Sequence, residues 1–128
     1  MRTFFKVMLY LLVPQLLVMG ALALLAPEAA ARIWNFPLKD PALARIVGPP
    51  WIALGVLCLI MARDLDRYRA VAWVPFLGTW LQFARAIHGF LSGELAPAVA
   101  TSQIAWEGIF GALGLIAYLG AYRKGRMR

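Results

Sequence analysis

Four long apolar stretches occupy most of this chain, and the last two carry ionisable residues well inside them: Arg85 and His88 in the third, Glu107 in the fourth. About 20 apolar residues cross a hydrocarbon core of about 30 Å as a helix, and a helix satisfies its own backbone amides where there is no water. A charge at the bilayer centre costs about 3 kcal/mol on insertion scales unless it meets a partner or water. These facts together predict an all-α fold, a four-transmembrane-helix bundle with one polar cluster buried in it.

Composition narrows the classes further. Apolar residues are 62% of the 128, and only 15% are charged, whereas an average soluble domain is about 45–50% apolar. The length allows a single domain, and four spans leave no room within it for a soluble catalytic domain. Cys58 is the one cysteine, which excludes an internal disulfide, a CxxC redox pair and a cysteine-cluster metal site; inside an apolar run it reads as a small buried hydrophobe. The net charge of +7 comes from basic residues that flank apolar runs. That placement points to anionic lipid headgroups and not to nucleic acid.

The first span covers about residues 4–26, with Pro14, Gln15 and Gly20 inside it. Arg2, Lys6 and the small residues Ala29–Ala31 resemble a secretion signal, but the apolar run exceeds the usual 7–15 residues, so a retained span is expected. Pro27 and Glu28 suit a helix first turn; a short interfacial helix or turn is expected there, with Trp34 and Phe36 at the headgroups. Span two covers about 43–62, its start distorted or delayed by Gly48-Pro49-Pro50. A polar turn at 63–69 leads to span three at about 70–91, and a 92–97 loop to span four at about 98–122.

Lys and Arg set the orientation. Nine of them lie at the N-terminus, the 63–69 turn and the C-terminus; three, Arg32, Lys39 and Arg45, lie on the other side. The positive-inside rule then puts both termini in the cytoplasm and, for a bacterial protein, the chain in the inner membrane.

At a rise of about 1.5 Å per residue, Arg85 lies about 9 Å and Glu107 about 13 Å below the outer edge. His88 and Gln103 are shallower, and Trp51 enters from the same side. Gln82, Arg85 and His88 are three apart and share a broad helix face; Gln103 and Glu107, four apart, share another. With Trp80 and Trp106 nearby, two readings stay open. One is a structural Arg85–Glu107 pair with the amides and His88 satisfying leftover groups. The other is an apolar, aromatic pocket with convergent polar groups, lined by Trp51, Trp80, Gln82, Arg85, His88, Gln103, Trp106 and Glu107, that binds a lipid, quinone or pigment. His88, with Ala84 one turn below, has space for a macrocycle as an axial ligand, though one histidine cannot give bis-His ligation. Glu107 and His88 together are candidate acid–base groups for a membrane enzyme acting on a quinone-, sterol- or isoprenoid-like substrate. Gly108, Gly111 and Gly114 mark close helix approach.

Leu25-Ala26-Pro27-Glu28 ends the first span, and Asp40-Pro41-Ala42-Leu43-Ala44-Arg45 opens the second. Ala62-Arg63-Asp64 and Tyr68 follow, then a deep base in span three and a deep acid in span four. This order resembles the DoxX-like group of small bacterial four-helix membrane proteins over nearly the whole chain. The resemblance implies an accessory subunit of a redox or quinone-linked membrane complex, partnered by other membrane subunits or by copies of itself. It carries over no catalytic residues. The four-span layout with a deep acid is also distantly similar to sterol-isomerase-like membrane proteins.

The orientation has a direct check. Cysteines introduced at Gly93 and Gly125 should label with a membrane-impermeant maleimide from opposite sides, position 93 from outside. Labelling of position 125 from outside intact cells would reverse the topology.

Overall fold

In the computed structural model, which describes residues 1–34 and 40–122, every regular element is a helix. There are five among the described residues: α1 (Arg2–Leu25), α2 (Pro27–Trp34), α3 (Pro41–Arg63), α4 (Val74–Leu91) and α5 (Pro97–Tyr122). Three of them, α1, α3 and α5, are long and apolar enough to cross a membrane. α4, the expected third span, is not among them: it is 18 residues long, and Gln82, Arg85 and His88 dilute its hydropathy.

Capping chemistry explains where the helices begin. Asp40 accepts a hydrogen bond from the Ala42 backbone N–H at 2.8 Å, and Pro41 occupies the first turn, where no N–H is needed. α3 therefore starts two residues before Leu43 and runs on through Pro49 and Pro50; these prolines neither delay nor end it. α4 starts later than Ala70. Leu65–Trp73 are turns closed by bonds such as Ala72 N–H to the Tyr68 carbonyl at 2.9 Å, and Pro75 lies in the first turn of α4. α2 is the short helix expected after the first span, with Glu28 in its first turn. The Trp34 side chain, Phe36, Lys39 and the basic tail from Arg123 lie outside the described residues.

The chain forms two compact units. One is Val7–Leu65, where α1 meets α3 through glycines. A Cβ on Gly20 would lie 2.8 Å from the Gly48 carbonyl oxygen and 2.9 Å from the Ile52 nitrogen, and one on Gly48 would lie 2.7 Å from the Gly20 carbonyl oxygen. Backbone thus approaches backbone, the contact that small residues allow between membrane helices.

The other unit joins Met1–Lys6 to the chain from Asp66 onward. Its centre is an antiparallel α4–α5 hairpin. Phe76 packs over Gly114, Thr79 and Trp80 over Gly111, and Phe83 over Gly108. Gly93, at φ 73°, reverses the chain in a left-handed conformation that glycine enters without strain, and Leu95 then folds back onto Gly89. At the far end the buried Phe5 ring lies 5.6 Å from the rings of both Phe76 and Tyr118, and Arg2 pairs with Asp66.

Two glycine substitutions should separate packing from propensity. Gly20→Ala meets backbone atoms that cannot move aside and should destabilise by about 1–3 kcal/mol, as overpacking does. Gly78, where an added methyl would find nothing within 4 Å, should accept alanine with no loss. Thermal unfolding of both variants in detergent checks this.

Candidate functional site

The rings over Gly108, Gly111 and Gly114 decide which way every polar side chain of the hairpin faces. On α4 the buried residues are Pro75, Phe76, Thr79, Ala86 and Gly89. Gln82, Arg85 and His88 lie on the side away from Phe76, Thr79 and Phe83, the α4 residues seated on α5, and all three are exposed. They do share one broad face, as their spacing predicts. On α5 the buried stripe contains Ala100, Gly111 and Gly114, and the half-buried Glu107 and Gln103 lie along it.

This corrects the paired reading of Arg85 and Glu107. Their levels along the hairpin match, since Phe83 sits opposite Gly108, but their directions diverge. No ion pair joins them; the Arg2–Asp66 pair forms elsewhere in the unit. His88 and Glu107 are likewise not joined by a hydrogen bond. The His88 backbone carbonyl accepts from the Ser92 N–H at 2.9 Å and so helps to close the end of α4. Among the described residues no three His, Cys, Asp or Glu side chains converge to hold a metal ion.

Of the three indoles, Trp80 and Trp106 belong to this unit and take different ring partners. Trp51 is half-buried on α3, in the other unit. Trp106 is 55% exposed and stacks on Phe110 with ring centroids 5.7 Å apart. Trp80 meets Phe83 edge-on at 5.6 Å and lines a shallow groove with Trp73, Leu77, Leu115 and Tyr118. That groove contains none of Gln82, His88 or Gln103.

What the sequence reading missed is that Trp80 is joined by Trp73, just before α4, and by Leu77, at spacings of i, i+4 and i+7. That spacing is a readable signal for a continuous helix face. No family model, curated protein or solved structure matches this chain.

What the arrangement offers chemically is an outward polar stripe on α4: two hydrogen-bonding side chains about one turn to either side of a guanidinium. The acid of α5 is held apart from it. A double-mutant cycle should therefore show independence. The costs of Arg85→Ala and Glu107→Ala should add within about 0.5 kcal/mol in detergent unfolding. A coupling above that range would mean the two groups do meet.

Proposed function

We propose that the chain is an accessory subunit of an integral membrane complex, of bacterial inner-membrane type, with four spans and both termini cytoplasmic. The observation that carries this reading is the exposed Gln82–Arg85–His88 stripe on the side of α4 turned away from α5. Lipid tails cannot satisfy a guanidinium, an imidazole and an amide. The long stem of Arg85 can carry its charge toward the headgroups, but Gln82 lies about a turn deeper and has no such reach. A neighbouring membrane chain that presents a carboxylate to Arg85 and acceptors to Gln82 satisfies both. Polar side chains directed at another helix are a recognised means of association within membranes.

The hairpin supports α4 as a fourth span. α5 is apolar and long enough to cross, and α4 lies antiparallel along it, Phe76 against Gly114 and Phe83 against Gly108. Eighteen residues extend about 27 Å as a helix, close to the thickness of the hydrocarbon core. The order of motifs that resembles the DoxX-like group agrees with a small subunit in a larger assembly. Nothing in the geometry favours the alternative of an enzyme using Glu107 and His88, which face different ways.

A photo-crosslinking residue at position 82 tests the docking face in native membranes. It should give a protein adduct that Arg85→Ala weakens about tenfold, the scale of one charge-assisted hydrogen bond, while Arg45→Ala leaves it unchanged. An adduct of twice the chain mass would make a second copy the partner. Adducts with lipid alone would remove the docking reading.

A further inference from the structure

A second feature of the α4–α5 hairpin is independent of the polar stripe. Trp73, Leu77 and Trp80 form one wall of an apolar groove, Leu115 and Tyr118 the other, and Phe76 with Gly114 its floor. Its cavity is about 90 Å³, well below the roughly 300–1,000 Å³ of a small-molecule pocket. A groove of this size suits a stretch of one extended hydrocarbon chain, not a ring system.

The groove ends beside a cation. Tyr118, one of its walls, donates its hydroxyl to the Arg69 carbonyl at 3.3 Å. The Arg69 guanidinium lies 4.9 Å from the centre of the Tyr122 ring and donates to the Tyr122 carbonyl at 3.2 Å. That bond uses one of five N–H donors, and the side chain is exposed. Asp66, three residues earlier, is engaged by Arg2. The Trp73 indole N–H is satisfied by the Ala70 carbonyl at 2.8 Å, which fixes the ring at the groove mouth. A basic group thus stands at Tyr122, one helical turn beyond Tyr118 at the edge of a short apolar groove, and Trp, Tyr and basic residues gather in this way at a membrane interface.

We propose that this groove and Arg69 together bind one anionic phospholipid, an acyl chain lying along Trp73, Leu77 and Leu115 and the phosphate meeting the Arg69 guanidinium. The planar fork of arginine matches phosphate oxygens, and the apolar strip selects a lipid over free phosphate. The proposal needs the hairpin to lie in a membrane but does not depend on any partner at the α4 stripe.

Native mass spectrometry of the purified full chain, offered equimolar phosphatidylglycerol and phosphatidylcholine with the same acyl chains, tests it. Wild type should retain phosphatidylglycerol about fivefold over phosphatidylcholine, the ~1 kcal/mol that one Lys or Arg contributes near anionic lipid. Arg69→Gln should equalise the two lipids by lowering the phosphatidylglycerol retained, and Leu77→Trp, which fills the groove from an exposed position, should lower both. Excess inorganic phosphate should displace neither. If Arg69→Gln does not fold, Arg69→Lys decides, because it keeps the charge and should keep the preference. Equal retention by wild type, an unchanged preference in Arg69→Gln, a lost preference in Arg69→Lys, unchanged binding in Leu77→Trp, or displacement by inorganic phosphate would each overturn the proposal.

Discussion

The hairpin of α4 and α5 depends on aromatic rings seated over glycines. Between apolar helices in lipid there is no hydrophobic gain from association, so close van der Waals fit has to hold them together. Phe76, Trp80 and Phe83 supply the surface; Gly114, Gly111 and Gly108 supply the space. A methyl on Gly114 would run into the Phe76 ring, so the fit leaves no tolerance there. The Phe76 ring also carries the contact onward, lying 5.6 Å from Phe5 and 6.2 Å from Phe110. The end of the unit that holds Arg2, Asp66 and Tyr122 is joined to the seam through these rings.

That seam fixes the azimuth of everything else on the two helices. With Phe76, Thr79 and Phe83 turned toward α5, residues 82, 85 and 88 have to face away, while Glu107 stays near the packed side. The polar stripe is then not an interior network of this unit. It is a surface, and in a membrane a polar surface has a cost of about 3 kcal/mol for a central charge that only water, headgroups or another protein can offset. Accessory subunits have a reason to carry such a stripe that isolated membrane proteins lack: it makes the bound state better solvated than the free one.

The helical class is legible in the sequence, along with the short helix at Pro27 and the close approach of α5 to a neighbour. Apolar run length and the Gly108–Gly111–Gly114 spacing are local signals, and local signals survive folding. Relative level along the hairpin is legible too, because helical rise is constant; Arg85 and Glu107 do lie at matching levels, since Phe83 sits opposite Gly108. Direction is not. Whether two residues at one level meet depends on which stripe packs, and that is set by Phe76 and Phe83, which composition alone does not distinguish from lipid-facing phenylalanines. The start of α3 departs from expectation for a different reason. Asp40-Pro41 is a readable cap, but Gly48-Pro49-Pro50 reads as a breaker under rules for water, whereas freed carbonyls in membrane helices find other partners. The α4 start departs because Ala70 to Trp73 is apolar enough to extend the span, yet the backbone there closes turns on Tyr68.

The two ends of the hairpin differ in what they ask of their surroundings. At the Gly93 end the chain reverses tightly, and the polar groups Gln82, Arg85 and His88 lie on the exposed side of α4. At the other end Arg69, Tyr118 and Tyr122 satisfy one another through a cation–π contact and two hydrogen bonds, and among the described residues the guanidinium makes one of the five hydrogen bonds it can donate. A group that is structurally held but chemically unsaturated is preorganised: binding to it orders little that is not already ordered. The same cannot be said of Arg85, which no ion pair or ring contact among the described residues holds in place. Ordering that side chain adds to the cost of docking, so the α4 stripe suits a large, permanent interface that spreads the cost over many contacts. The Arg69 end, ordered in advance beside its groove, suits a single small ligand taken from the surrounding lipid.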